Sequence, residues 1–271
     1  MSSLCDYSLY ATVRVLVTFP LEHPLEMAKT RAQSDPLLTT KDILNSCKHN
    51  GIKKLYEGGI SNSAIRVIRS SYRWPYVEKM HAFWSNGLPS TLKYDGVTAK
   101  LGVSLSIACL ETAIVLPIER LFVSKVGELG YGHFLQTQIK VEGLRSLYQG
   151  ATATFTNHSL SWTTFMLTNY ALKKMSENKE KTILNKCIGS AVIGSALTAI
   201  DMPLEFICTQ TQLHPKYQSI SMKQVVKSLF REYGIKGFYS GAPFGVVHKT
   251  IQVFCGSYFY AKMTSSKEKS N

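Results

Sequence analysis

The sequence predicts an all-α membrane protein with six transmembrane helices, arranged as three pseudo-threefold repeats that each carry a short amphipathic surface helix. Three observations lead to this fold class: a glycine–tyrosine motif that occurs three times, a proline–glutamate motif that precedes each copy, and six long segments rich in apolar and small residues. We expect the repeats at residues 1–92, 93–180 and 181–263, followed by a polar tail at 264–271.

The glycine–tyrosine motif has the form Gly-x-x-x-(Leu/Phe)-Tyr-x-Gly, and its copies are separated by 92 and 91 residues. They lie at 51–58, 143–150 and 234–241, and the Pro-x-Glu copies lie at Pro24–Glu26, Pro117–Glu119 and Pro203–Glu205. Two motifs that recur three times in the same order indicate a tandem triplication. The period is too long for a solenoid repeat or a propeller blade, and it favours three helical-hairpin modules around a pseudo-threefold axis.

Six segments are long enough to cross a bilayer, which takes about 20 residues per helix. Charged residues such as Arg14, Arg66 and Lys249 interrupt them, as is typical of membrane helices that line a water-filled interior. Small residues, as at 189–196, allow such helices to pack closely. The segments are 7–33, 58–84, 97–126, 150–175, 183–212 and 241–263.

Shorter polar stretches with an amphipathic pattern precede each glycine–tyrosine motif, at about 40–50, 132–142 and 221–233. They are typical of helices that lie along a membrane face. Ordinary loop helices without lipid contact would give the same pattern, so both interpretations stay open.

A proline well inside each odd-numbered segment predicts a helix kink, at Pro24, Pro117 and Pro203. Proline removes one backbone hydrogen bond and bends the helix there. Three equivalent bends would bring three helices together at one end of a barrel. The acids two residues on, Glu26, Glu119 and Glu205, would then face one another.

The net charge of +13 is compatible with nucleic acid, an anionic membrane surface or an anionic small molecule as partner. Because the basic residues are scattered through all three repeats rather than gathered in a tail or a recognition helix, we expect no nucleic-acid partner. The sequence has no P-loop, GxSxG or HExxH motif and no cysteine pair with metal-ligand spacing. We therefore expect no enzyme, no cofactor and no metal.

A symmetric triplet predicts the binding site. Eight residues after the last glycine of each glycine–tyrosine motif lie Arg66, His158 and Lys249, all able to carry positive charge. Three cations at mid-membrane depth are costly unless they meet water or an anion. Arg69 continues the helical face of Arg66. For His158 alone, a packing role is the competing interpretation.

At these motifs the chain resembles the mitochondrial carrier family, whose signature is Pro-x-Asp/Glu-x-x-Lys/Arg-x-Lys/Arg followed by an aromatic-x-Gly. The first repeat matches fully, with Pro24, Glu26, Lys29 and Arg31, and Gln33 stands at the family's glutamine brace. The other repeats depart from the signature, since their basic positions hold Phe122 and Ser124, and Cys208 and Gln210.

The resemblance implies roles for further residues. The family's substrate contacts fall at the triplet or one residue earlier, which adds Asn157 and His248 to the site. Its matrix-side gate corresponds to Glu26, Lys29, Glu119 and Glu205 with Gln33. Its opposite gate corresponds to Glu78 and Lys173, while Tyr170 and Tyr260 stand where further acids are expected.

The resemblance also implies a monomeric membrane transporter that exchanges anionic metabolites across the mitochondrial inner membrane by alternating access, surrounded by lipids such as cardiolipin. A mitochondrion-related organelle, or host mitochondria for a microbial chain, are alternative locations. The basic residues with aromatic neighbours (Tyr72, Trp74, Phe155 and Trp162) favour nucleotides of the ATP/ADP type. Phosphate or di- and tricarboxylates are the alternatives, as is a degenerate protein that no longer transports and serves as a membrane interaction protein.

Overall fold

The computed structural model describes residues 2–87, 97–126, 140, 143–176, 183–217 and 220–268, and in this part of the chain the regular structure is entirely helical. It contains eight α-helices: α1 Ser2–Ser34, α2 Thr40–Asn50, α3 Gly59–Gly87, α4 Val97–Val126, α5 Ala151–Ser176, α6 Ile183–Leu213, α7 Met222–Gly237 and α8 Ala242–Glu268. Short 3-10 helices at Ile52–Tyr56, Gly143–Tyr148 and Pro215–Tyr217 lie between them. The predicted all-α class is confirmed.

The six long helices form a closed ring. Each contacts the next along the chain, from α1 through α3, α4, α5 and α6 to α8, and α8 packs back against α1. The odd-numbered segments of the prediction, now α1, α4 and α6, also contact one another. Each predicted long segment therefore lies on one helix of the ring. Two points remain predictions: that all six helices cross a membrane, and that three equivalent repeats build the ring.

Polar and apolar side chains are distributed in the inverse of the usual order for a protein in water. On α1, Leu16 and Leu21 are exposed while Glu22 is buried. On α4, Leu105 is exposed while Glu111 is buried, and α6 repeats the pattern. Apolar side chains on the outside of a ring with charges inside are expected where the surroundings are lipid.

By length and apolar composition alone, two stretches of the described chain are able to span a bilayer, Val97–Arg120 on α4 and Ala191–Leu213 on α6. The other long helices carry more charge, as Arg14 on α1 and Arg66, Arg69 and Arg73 on α3 illustrate.

Two of the predicted amphipathic stretches are helices, α2 and α7. Each begins with a capping box, in which Thr39 pairs with Asp42 and Ser221 pairs with Gln224. The predicted stretch at 132–142 lies outside the described residues except for position 140. The predicted polar tail begins at 264, yet α8 continues to Glu268 because no glycine or proline stops it.

Both glycines of each glycine–tyrosine motif adopt a positive φ, between 61° and 80°. This left-handed conformation is unfavourable for other residues, so it explains the glycines of the motif. Space adds a second requirement at Gly241, where a Cβ would lie 2.9 Å from the carbonyl oxygen of Lys29. The last motif is thereby fixed against α1.

The tyrosine of the motif supplies a hydrogen-bond donor for the backbone carbonyl that the proline leaves without one. Pro24 has no N–H for the carbonyl of Pro20, four residues earlier, and the Tyr56 hydroxyl donates to that carbonyl at 2.8 Å. The Tyr148 hydroxyl likewise donates at 3.0 Å to the carbonyl of Ala113, four residues before Pro117. An orphaned carbonyl in an apolar setting is costly, so the two motifs depend on each other.

The α6–α8 interface is packed through small residues. Gly194 lies so close to α8 that a Cβ would approach Val253 to 2.7 Å. Beside it, the hydroxyls of Ser195 and Thr250 are 2.6 Å apart. Helices with small residues at the contact approach each other closely and gain dispersion energy along their length.

At the end of α6, an apolar cluster and a surface network attach α7. Phe206 packs edge-on against Phe238 in the cluster. On the surface, Tyr217 donates to the Glu232 carboxylate at 2.8 Å and Lys216 does so at 3.0 Å. The hydrogen bond from Tyr217, and after it the one from Lys216, holds the pKa of Glu232 below its ordinary value.

Candidate functional site

Arg66, the first residue of the predicted triplet, lies on α3 and is buried inside the ring. It donates to Glu22 and, at 2.6 Å, to Glu26, both on α1. The Nε2 atom of His248 on α8 lies 3.1 Å from its guanidinium. Two acids therefore surround this cation, which the cost of burying an unpaired charge requires.

Two further arginines extend from Arg66 along the same face of α3. Arg69 donates to Glu119 and Arg73 donates to Glu111, both on α4. Spacings of three and four residues place the three guanidinium groups one above another on the helix. We call Arg66, Arg69 and Arg73 the arginine row, and it spans the gap between α1 and α4.

His158 on α5 is buried near the Arg73 end of this row. Its Nδ1 atom lies 3.7 Å from a carboxylate oxygen of Glu111, the partner of Arg73. The neighbouring Asn157 has a buried side-chain oxygen with no hydrogen-bond partner among the residues that the structure describes. A buried acceptor without a partner is a place where a ligand donor gains a full hydrogen bond.

Lys249, the third member of the triplet, is half-buried on α8. Its charge acts on Asp201 and Glu205 of α6. Within the described residues, no hydrogen bond or ion pair joins His158 or Lys249 to Arg66. The structure thus places the three basic residues in one interior, each beside acids of its own.

The sequence analysis missed three of these acids, Glu22, Glu111 and Asp201, all buried. Asp201 accepts a hydrogen bond from the Ser161 hydroxyl at 3.0 Å. A signal was available: Glu22 lies four residues before Glu26, and Asp201 lies four residues before Glu205. That spacing puts both acids of each pair on one helical face.

The aromatic residues near the site are partly engaged. The Trp162 ring of α5 lies 5.2 Å from the guanidinium carbon of Arg73, a cation–π distance. Tyr72 is half-buried, and its hydroxyl lacks a hydrogen-bond partner in the described part of the chain. The side chain of Trp74 lies outside the described residues.

The interior can therefore bind an anion by exchange. Each guanidinium of the arginine row already contacts a carboxylate, and a substrate carboxylate or phosphate offers the same acceptor geometry. No metal site is apparent among the described histidines, cysteines and acids.

Comparisons with known proteins point to one family. A family model described as mitochondrial carrier protein matches residues 179–270. The chain is 26% identical to "Mitochondrial substrate carrier family protein Z" of Dictyostelium discoideum over 242 residues, which cover 81% of this chain and 78% of the relative. It is 22% identical to "Mitochondrial citrate transporter B" of Aspergillus niger over 236 residues, covering 81% and 79%.

The chain is thus similar to the mitochondrial carrier family, and the family model covers its last third. Carriers of this family are transporters and not enzymes, in agreement with the expectation from the sequence. Similarity to this family is consistent with a multi-pass protein of a mitochondrial membrane.

The residues predicted to form the matrix-side gate lie where α1, α4 and α6 meet. Lys29 on α1 forms an ion pair with Glu205 on α6 at 2.9 Å. Gln33 accepts a hydrogen bond at 3.2 Å from Thr209, which also links α1 with α6. Glu26 and Glu119 have no motif lysine to pair with, and both contact the arginine row instead.

Of the residues predicted for the opposite gate, the structure describes the side chain of Glu78. Glu78 is exposed on α3, and the side chains of Lys173, Tyr170 and Tyr260 lie outside the described residues. The gating roles at both ends stay predictions.

Proposed function

We propose that this carrier exchanges anionic metabolites across the mitochondrial inner membrane by alternating access, with nucleotides of the ATP/ADP type as the favoured substrates. One observation carries the proposal: the arginine row lines the inside of the ring, with Arg66 buried and Arg69 and Arg73 half-buried, and every guanidinium in it is neutralised by a carboxylate. A planar guanidinium presents two parallel donors that suit phosphate and carboxylate equally.

The proposed binding step is an exchange of acceptors. An entering anion replaces a protein carboxylate on Arg66 or Arg69, so that the buried guanidinium is never left without a counter-charge. A neutral solute offers no such compensation and would leave charges unpaired, which costs several kcal/mol in a dry interior. This preference for anions follows from the pairing.

Nucleotides are favoured because the row ends at an aromatic ring. With phosphates on Arg66 and Arg69, a base would extend towards Trp162, whose ring already lies 5.2 Å from Arg73. A base gains stacking energy against such a ring and against the guanidinium plane.

Phosphate and di- or tricarboxylates form the second candidate class. The relative from Aspergillus niger is named a citrate transporter, and citrate would take several guanidinium groups at once through its carboxylates. Both classes use the same residues, so one set of measurements separates them.

The test is uptake by liposomes that contain the purified carrier, with labelled ATP, citrate and inorganic phosphate in parallel and with preloaded and empty vesicles. We expect ATP uptake into preloaded vesicles only, since exchange requires an internal partner. Arg66→Ala or Lys249→Ala is expected to reduce that uptake at least about tenfold, the effect of losing one charge-assisted contact. Lys227→Ala removes an exposed charge from α7 and should change little.

Uptake of citrate or phosphate without ATP would assign the site to the smaller anions. Uptake that survives both substitutions would place the substrate elsewhere. No uptake of any of the three would contradict a transport role and leave the degenerate membrane interaction protein as the better hypothesis.

A further inference from the structure

Two of the three gate acids lack the base that the carrier signature provides. Lys29 of the first repeat pairs with Glu205 of the third. By the same rotation around the ring, Glu26 should pair with position 122 and Glu119 with position 208. These positions hold phenylalanine and cysteine, which carry no positive charge.

Two members of the arginine row contact the two gate acids that lack a signature base. Arg66 contacts Glu26 at 2.6 Å, and Arg69 contacts Glu119. The two arginines lie three residues apart on α3, and their partners lie on the two helices that flank α3, so one helix face holds α1 and α4 together. Arg73, the third member, contacts Glu111 eight residues before the gate acid Glu119 and takes no part in this bridge.

We propose that Arg66 and Arg69 each have two functions in this carrier, as ligands of the transported anion and as the bases that hold the gate acids Glu26 and Glu119. This inference rests on the proposed function for its first half. An anion that binds both guanidinium groups releases both acids. Among the described gate residues, the Lys29–Glu205 ion pair and the Thr209–Gln33 hydrogen bond, both between α1 and α6, then remain to hold the closed end.

Because Arg66 and Arg69 serve both the anion and the gate acids, anion binding is coupled directly to opening of the gate. In a gate with its own lysines, substrate and gate acids would not compete for a donor, and binding would act through changes in helix packing. Here the closed gate and the bound anion exclude each other on the same atoms. Each must then weaken the other by the same factor.

Cys208 offers a reporter for the gate that does not depend on transport. It occupies the vacant basic position, is 8% exposed, and lies close enough to Glu119 and Glu205 to interact with their charges. The experiment measures how fast a water-soluble maleimide labels Cys208 in the detergent-solubilised carrier, in a background where the other five cysteines are serine. ATP, citrate and phosphate are each added in turn.

We expect slow labelling of the parent without anion and labelling about tenfold faster with a transported anion, within the usual range of coupling between two sites. Arg69→Gln should label about tenfold faster without any anion and should no longer respond to one. Lys227→Gln, which removes an exposed charge from α7 outside the proposed site, is the control, and it should label as slowly as the parent.

A second pair of variants guards against a folding defect. Arg69→Lys keeps the charge and should keep labelling slow. Phe122→Lys gives Glu26 a base of its own, so it should slow the labelling of an Arg66→Gln carrier again.

Labelling of Arg69→Gln as slow as that of the parent would overturn the inference, because the gate would then close without Arg69. Fast labelling of Arg69→Gln in a carrier whose parent responds to none of the three anions would overturn the shared role. That outcome leaves Arg69 as a gate base and counts against the proposed substrates, so the two failures are distinguishable.

Discussion

The two sides of the ring are built on different principles. Where α3 meets α1 and α4, arginines of α3 form ion pairs with glutamates, beside apolar contacts and a close approach of Gly102 to Trp84. Where α6 meets α8, the contacts are a glycine against a valine and one hydroxyl against another. The first interface adds ion pairs with exchangeable partners to its apolar packing, whereas the described contacts of the second depend on shape and on one hydroxyl pair.

This difference indicates which side moves. A guanidinium that leaves one carboxylate can take another acceptor, including one on a ligand, at little net cost in charge. A close helix contact through Gly194 has no alternative partner, and separating it loses dispersion energy over the whole contact. We therefore expect α3 to change its contacts during transport while α6 and α8 move as one body.

The largest expected effect comes from Glu22→Gln, which breaks the ionic side. Glu22 is 1% exposed, contacts Arg66 and lies 3.7 Å from Arg14. Removing one partner of a buried network leaves charges uncompensated, so the free energy of unfolding should fall by about 3 kcal/mol. Denaturant unfolding in mild detergent measures this. Glu78→Gln, exposed on the same side, is the control and should have no effect.

A smaller loss is expected from Gly194→Leu, which breaks the packed side. Its Cβ would lie 2.7 Å from Val253, so the helices must separate, at about 2 kcal/mol of unfolding free energy. Gly189→Leu on the same helix meets nothing within 4 Å and serves as the control. If the two variants unfold alike, the close packing of this interface is not what stabilises it.

The smallest effect is expected from Tyr56→Phe. This variant sharpens the comparison because it removes a hydrogen bond to a backbone carbonyl of α1 and leaves the ion pairs in place. Without the hydroxyl, the carbonyl of Pro20 loses its donor, at about 1 kcal/mol. Tyr148→Phe should cost a similar amount, and because the two sites are separate, the double variant should show the sum. Equal stability of wild type and double variant would mean that water satisfies both carbonyls.

The sequence was sufficient for the long helices, because apolar and small residues predominate over stretches long enough to cross a bilayer despite the prolines within them. The predicted segment at 97–126 coincides with α4. The sequence also predicted that Arg66 lies on a long helix and faces the interior, because it recurs at an equivalent position with His158 and Lys249 in the three repeats. It could not provide the partners of Arg66, since periodicity defines the face of one helix and not which helix lies opposite. Glu22 and Glu111 face α3 only because the ring closes in chain order.

The closure of that ring unites the first and last parts of the chain. Gly241 lies against the backbone of Lys29, and the Ser240 hydroxyl donates to the carbonyl of Ala32 at 2.7 Å. During biosynthesis, α1 is made first and must wait for the motif that precedes α8 before its contacts are complete. A prematurely terminated product lacks both that motif and α8, so its α1 would lack the contacts that Ser240 and Gly241 make with it.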